Sequence, residues 1–311
     1  MQKTSPRVLV SIINWNNNAA TTSCLASIAK IDRPLQPDIL LVDNGSRQQP
    51  LDVSDALHRS LRSLTIRYNA QNLGFGVAHN DSIKQGVTQG YDYVVLLNND
   101  TQLLDLELFA KLCAALEADS HAIAAAPTVL SSTNPYIIWY GGGLLNAKIA
   151  TTQHLRLGDK YRLNQEPKSA LPTTFITGCC VAIKATKIAR DADYLPDDYF
   201  VYWEDAEWCH RVSQLGHTLL YVPDAYLLHH TSSSLGFRSS GYIYYNIRNN
   251  LLFIKRNTPI GFKTIARLHV GWISAKYCVR IALDRPFQAR KLQYILKAWK
   301  DGLVNKGGPI E

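Results

Sequence analysis

No run of about 18 apolar residues occurs in the 311-residue chain, so no helix is expected to cross a membrane. The opening stretch, MQKTSPRVLVSIINWNNN, holds no long apolar segment ending at a small-residue cleavage site, and no signal peptide is expected. The six cysteines show no CxxC spacing, and two of them, Cys179 and Cys180, are adjacent. That suits a reduced, cytoplasmic protein better than a disulfide framework. GxGxxG and Walker A loops are both missing, and NLGFG sets its two glycines in the wrong frame for either, which counts against dehydrogenase and P-loop chemistry. Internal repeats and low-complexity segments are missing too. Acids are scarce in one region. Between Lys255 and Lys300 stand 11 Lys and Arg and a single acid, Asp284, a net of +10 in a chain whose total is +8. A basic tail attracts phosphate-rich surfaces, either nucleic acid or anionic lipid. It carries no RNP-like, zinc or helix-turn-helix pattern, so nucleic acid is not the expected partner.

What is present is a globular composition, 46% hydrophobic and 19% charged, long enough to bury a large core. Val8 to Ile13, Ile39 to Asp43, Leu64 to Tyr68 and Tyr93 to Leu97 read as four strands. Helical spacing falls between and after them, at Thr21 to Ala29, Val77 to Gln89 and Leu106 to Ala118. Apolar strands alternating with helices imply an α/β fold with a doubly wound, mostly parallel sheet. The middle is irregular, aromatic and Gly-rich at Tyr136 to Gly143 and polar from Thr151 to Thr173. Thr174 to Ile183 reads as a buried strand, Glu204 to Gln214 as a helix, and TLLYV and AYLLHH as two short strands; after His230 the pattern is helical.

Ligands of parallel α/β sheets bind beyond the carboxyl ends of the strands. Those ends read Asn14-Trp15-Asn16, Asp43-Asn44-Gly45-Ser46, NAQNLGFG from Asn69 to Gly76, and Asn98-Asn99-Asp100. Each alone is ordinary turn chemistry; four in succession outline one site. The Asp100 carboxylate, assisted by Asn, suits a hard divalent cation that takes substrate phosphates as its remaining ligands. Glu204, Asp205 and Glu207 crowd a helix start after three aromatics. They either complement the helix dipole or include a partly buried general base. His229, at a strand end, is either a loop hydrogen-bonder or a further metal ligand. Cys179 and Cys180 pack as small hydrophobes.

In their order, VSIINWNN, LLVDNGS, NLGFGVAHN, VVLLNNDT, TGCCVAI, FVYWEDAEWCHRVSQLG, YVPDAYLLHH and YYNIRNN resemble the family-2 glycosyltransferases of GT-A (Rossmann-like) fold. The nearest likeness is to the bacterial rhamnosyltransferase branch that builds cell-surface polysaccharide. The resemblance covers about Val8 to Asn250. It implies an inverting hexosyl transfer from a nucleoside-diphosphate sugar, with rhamnose from dTDP-rhamnose first in order, to a glycan or lipid-linked glycan. It implies Mg²⁺ or Mn²⁺ on Asp100 and His229, although the motif reads NND and lacks a first carboxylate. It puts Asp205 as the base with Glu204 beside it. Asn14, Trp15, Asp43, Asn72, Gly74, Asn98 and Asn99 fall on the nucleotide-sugar side, and Thr177 and Gly178 on the acceptor side. The expected division is a catalytic domain over 1–235, with a nucleotide-sugar half to about 120 and an acceptor half over 121–235, and a helical basic extension over 236–311. Two other functions compete. A nucleotidyltransferase making sugar nucleotides would need a Gly-rich, basic loop after the first strand, where NWNNNAATTS has neither Gly nor Lys nor Arg. A non-enzymatic nucleic-acid binder would have to rest on the tail alone. From Ile265, the residues Leu268, Trp272, Ala275, Val279 and Ala282 recur at helical spacing, with Lys263, Arg267 and Arg280 off that stripe and Lys276 near its edge. Such a helix either packs on the catalytic domain or lies on an anionic membrane. The concentration of +10 in this segment favours the membrane, and peripheral attachment at the cytoplasmic face is expected.

Overall fold

The computed structural model describes residues 6–32, 36–47, 51–191, 194–230, 239–284 and 288–310. In chain order the first half runs β1 (Val8–Asn14), α1 (Asn18–Ile28), β2 (Asp38–Asp43), α2 (Asp55–Ser60), β3 (Ser63–Tyr68), α3 (Phe75–Thr88), β4 (Tyr93–Asn98), β5 (Thr101–Leu103) and α4 (Leu108–Ala118). The middle adds β6 (Ala122–Ser131), β7 (Asn134–Tyr140), β8 (Gly143–Asn146), β9 (Thr151–His154), β10 (Leu171–Thr173) and β11 (Cys180–Lys184). Then follow α5 (Ala185–Asp191), α6 (Glu204–Gln214), β12 (Thr218–His229), α7 (Ser240–Asn257), α8 (Lys263–Leu283) and α9 (Ala289–Val304).

The main sheet has the order β10-β12-β6-β11-β4-β1-β2-β3, with β5 on β12 and β7 on β6. The pairings β1·β2, β1·β4, β2·β3 and β6·β12 are parallel, while β11 runs antiparallel to both β4 and β6, and β10 to β12. Six of the eight strands in that path therefore point one way, and their carboxyl ends share one edge. β1, β2 and β4 are apolar without alternation because helices cover both faces. β3 is the edge strand and is half-exposed along its length.

Three local expectations are corrected. Thr174 to Ile183 is not one strand. The backbone enters the sheet only at Cys180, and residues 175–179 form a largely buried loop in which the Tyr140 hydroxyl donates to the Phe175 carbonyl (2.8 Å). Buried loops and buried strands carry the same apolar signature. TLLYV and AYLLHH are one strand, β12, carried through Pro223 by a register shift between Val222 and Tyr226. Its partner at the shift is Pro127 of β6, which has no N–H to offer, so a proline faces the bulge where the ladder is already broken. β6 itself, AIAAAPTVLS, is fully buried along nine of its ten residues and was not expected, because alanine and proline weaken the strand signal.

The helical tail is built as expected. α7 packs against α8 and α9 around a second core that includes Tyr244, Tyr245, Phe253 and Ile254. Phe200, Val201, Tyr202 and Trp203, from the loop ahead of α6, pack onto the same core. No helix among the described residues is long and apolar enough to cross a membrane. All six cysteines are free, five of them buried.

Candidate active site

The strand register brings the polar strand ends together. Asn14 of β1 stands opposite Asp43 of β2, and Ile13 opposite Asn98 of β4. Asn14 Nδ2 donates to Asp43 Oδ2 (2.8 Å), and the Ser46 amide donates to Asp43 Oδ1 (2.9 Å). Thr21 Oγ1 donates to Asn14 Oδ1 (2.9 Å), and Asn99 Nδ2 donates to Thr21 Oγ1 (2.8 Å). A relay of three hydrogen bonds thus ties the Asn98-Asn99-Asp100 turn to the Asp43 carboxylate. Trp15 is half-buried beside it. Asn44 fastens the next loop: its Nδ2 donates to Asn72 Oδ1 (3.0 Å) and to the Gly74 carbonyl (3.2 Å), and Asn72 Oδ1 also accepts from the Gly74 amide (2.8 Å). Gly74 has φ +85°, and a Cβ there would sit 2.5 Å from the Phe200 carbonyl oxygen, so only glycine fits.

Asp100 is buried, and its Oδ1 has no hydrogen-bond partner. His229 Nε2 lies 3.1 Å from that oxygen without making a hydrogen bond to it, because β12 ends beside β5 with His229 opposite Thr101. His229 Nδ1 is also buried without a partner. The Trp139 ring meets the His229 ring edge-on at 4.9 Å. Among the described residues no third His, Cys, Asp or Glu joins these two. A carboxylate and an imidazole whose buried polar atoms lack partners fit a divalent cation that draws its other ligands from substrate and water.

The acids at the start of α6 separate cleanly. Glu207 is engaged elsewhere: it accepts from the Tyr199 hydroxyl and Asn257 Nδ2 (3.2 Å), with Arg211 at 3.7 Å and Arg256 at 3.9 Å. Asp205 turns to the loop before β11, where its Oδ2 accepts from the Gly178 amide (3.1 Å). One residue on, the Cys179 carbonyl accepts from the Asn98 amide (2.9 Å). Thr177 and Gly178 therefore lie between Asp205 and the turn that carries Asp100. Dehydration pushes Asp205 up to about 6. Dehydration and the neighbouring Asp205 charge push Glu204 well above the carboxylate range, and its Oε2 has no partner. Both carboxyls are thus held above the usual carboxylate range, Glu204 with the Asp205 charge as an added cause.

The loop that presents these acids is strained. Phe200, Tyr202 and Trp203 have φ of 67°, 67° and 75°, and left-handed backbone costs such residues about 1–3 kcal/mol each. Two side chains of α7 hold it. Asn249 Nδ2 reaches the carbonyls of Tyr199 (3.1 Å), Val201 (2.8 Å) and Tyr202 (2.6 Å). Arg248, 0% exposed, donates to the Tyr199 carbonyl (2.8 Å) and to the carbonyls of Lys306 and Gly308 (3.0 Å each). Thr21 and Asn249 are not legible as site residues in the sequence, and Asn44 is legible only as part of a polar strand end. Asn249 lies in YYNIRNN, which had been matched but given no role.

This fold, with its polar carboxyl edge, is that of the GT-A glycosyltransferases. Residues 6–241 match glycosyltransferase like family 2, and the chain belongs to that family. It is 24% identical over 266 residues to the N-acetylglucosaminyl-diphospho-decaprenol L-rhamnosyltransferase of Mycobacterium tuberculosis, covering 80% of each chain. Its fold is similar to that of GalNAc-T7 solved with UDP, GalNAc and Mn²⁺, with a TM-score of 0.60 at 16% identity, covering 92% of this chain and 59% of that one. It is similar also to the Pyrobaculum calidifontis mannosyltransferase PcManGT solved with GDP-Man and Mn²⁺ (TM-score 0.54, 15% identity, 97% and 88% covered). A third similar fold is that of S. aureus TarS with UDP-GlcNAc (TM-score 0.57, 15% identity, 96% and 81% covered). The chain is a glycosyltransferase.

Proposed function

We propose that this enzyme is an inverting transferase that moves rhamnose from dTDP-rhamnose to a lipid-linked glycan in cell-surface polysaccharide synthesis. The observation that carries the mechanism is the Gly178 amide on Asp205 Oδ2, beside the turn that ends at Asp100. The acceptor hydroxyl attacks the anomeric carbon in line, its proton passes to Asp205, and the bond to the diphosphate breaks with its electron pair on the leaving oxygen. Burial and the Asp205 charge both disfavour a second charge on Glu204 beside the base. Thr177 and Gly178 border the acceptor. Asn14, Trp15, Asp43, Asn72, Gly74, Asn98 and Asn99 seat the nucleotide sugar, with Asp43 turned to the base. Asp100 and His229 would hold Mg²⁺ or Mn²⁺, which would supply positive charge against the leaving diphosphate. The rhamnosyltransferase relative, whose name specifies a diphospho-decaprenol carrier, supports this acceptor. Such a carrier would bring this enzyme to the cytoplasmic face of the membrane, attached peripherally.

The test is transfer of labelled rhamnose from dTDP-rhamnose to N-acetylglucosaminyl-diphospho-polyprenol with Mg²⁺ or Mn²⁺. Transfer with inversion supports the reading. Condensation of a nucleoside triphosphate with a sugar phosphate would instead mark a nucleotidyltransferase. Transfer from another nucleotide sugar alone would change the donor and leave the chemistry.

Two variants probe the seat and the base loop. Asp43→Ala removes the acceptor for a ring N–H and for Asn14 and Ser46, so UDP and dTDP affinity should fall by about 1–3 kcal/mol. Unchanged affinity by calorimetry would move the base pocket elsewhere. Asn249→Asp keeps the side-chain shape but turns a donor into an acceptor facing three carbonyls. Displacing the base loop should lower kcat by roughly 10²-fold and leave nucleotide affinity unchanged. A lower Tm with unchanged kcat would limit Asn249 to holding the fold.

A further inference from the structure

α8 is apolar on two opposite faces. The inner one, with Ala266, Val270, Ser274 and Ile281, is buried against α7 and α9, and Ser274 Oγ accepts from the Trp299 indole (3.0 Å). Half a turn away, Ile265, Leu268, Trp272, Val279 and Leu283 are 54%, 67%, 56%, 62% and 75% exposed. At 1.5 Å per residue this stripe runs about 27 Å along the helix. It is the stripe seen in the sequence, and it is the face that does not pack. A helix apolar all round is ordinarily buried all round, and an elongated exposed apolar surface marks an interaction site.

Charge identifies the occupant. Arg267, Lys276 and Arg280 are exposed on the same helix, and Lys276 Nζ stands 3.3 Å over the Trp272 ring. The surrounding segment holds the net +10 between Lys255 and Lys300. Two copies of so basic a surface repel each other, which disfavours a dimer through this face. An apolar stripe with an exposed Trp and basic flanks suits the headgroup boundary of an anionic bilayer. We propose that the outer face of α8 is a docking surface for anionic lipid, with the helix lying in the membrane plane. The proposal rests on the lipid-linked acceptor for its purpose, and on the exposed stripe and the charge for its substance.

Sedimentation of the full chain with vesicles tests it, with no sugar substrate present. Binding to phosphatidylglycerol–phosphatidylcholine vesicles should exceed binding to pure phosphatidylcholine and should fall as salt rises. The paired change Leu268→Ser with Trp272→Ser should weaken binding by about tenfold or more. Lys276→Glu with Arg280→Glu should weaken it and flatten its salt dependence. Both pairs are surface changes, so Tm and hydrolysis of the nucleotide sugar should stay at wild-type values. Equal binding to neutral vesicles, or none at low salt, overturns the proposal. So does a dimer that Leu268→Ser with Trp272→Ser dissolves, or a tighter hold on DNA than on anionic vesicles. Failure of the parent chain to bind anionic vesicles, with intact transfer to a detergent-dispersed acceptor, would strike the docking surface alone. Vesicle binding without any transfer would strike the proposed activity alone.

Discussion

Asp205→Asn is expected to leave the fold and nucleotide affinity intact while lowering turnover by about 10²–10⁴-fold, the usual worth of a general base. Asparagine keeps an oxygen for the Gly178 amide that now binds Asp205 Oδ2 and gives up the contact of Oδ1 with the Ala206 amide. What it cannot do is accept the hydroxyl proton. The pH dependence follows from the same carboxyl. Dehydration holds it up at about 6, and a base must be ionised, so kcat should drop as pH falls through that region, and the variant should lose this limb. Stability runs the other way. The folded protein binds this proton more tightly than the unfolded chain, so the contribution is full below the unfolded pKa and is lost as pH rises through about 6. Asp205→Asn removes that loss and should melt higher than the parent at neutral pH. Near-parental kcat would reduce Asp205 to a residue at a helix start, and a variant that melts lower would show that its charge is compensated in the folded protein.

The parts of this architecture that could be read from sequence are those in which one physical demand dominates. β1, β2 and β4 are buried on both faces and so are written as unbroken apolar runs. α6 starts at Glu204 and stops before Gly216, which has φ +84°, so both of its ends are visible in the residues themselves. The rest depended on partners far along the chain. Pro127 and Pro223 look like strand breaks until β6 and β12 are laid side by side and both prolines meet at one bulge. Phe200 to Trp203 reads as an aromatic run, and the Asn249 amide, 47 to 50 residues away, with Arg248 beside it, explains how left-handed backbone is held there. Thr21 sits inside α1 and looks like a poor helix former, yet its hydroxyl joins Asn99 to Asn14. α8 had a legible period but no legible inside, because residues a half-turn apart are apolar on both faces.

Asp100→Ala is expected to abolish the dependence of activity on divalent cation and to cost about 10²–10³-fold in kcat, the scale seen when one stabiliser of developing negative charge is removed. The reason lies in what Asp100 lacks. It is buried, its Oδ1 has no hydrogen-bond donor, and the His229 imidazole nitrogen stands 3.1 Å from that oxygen. Buried carboxylate oxygens are ordinarily satisfied, and here the satisfying group would be a cation shared with His229. Only two protein ligands converge among the described residues, so affinity for the bare cation should be weak and should rise when nucleoside diphosphate supplies oxygens. Calorimetry can read that coupling directly. Mn²⁺ should tighten dTDP or UDP binding to the parent and leave binding to Asp100→Ala unchanged. His229→Ala should behave in the same direction with a smaller effect, since Asp100 carries the charge. Asn98→Ala, at the position where NND has no carboxylate, should retain the Mn²⁺ effect on nucleotide binding. Full turnover of the parent in excess EDTA would remove the cation from this site and His229 from any role in it. A Mn²⁺ effect undiminished in Asp100→Ala would place the cation on other residues.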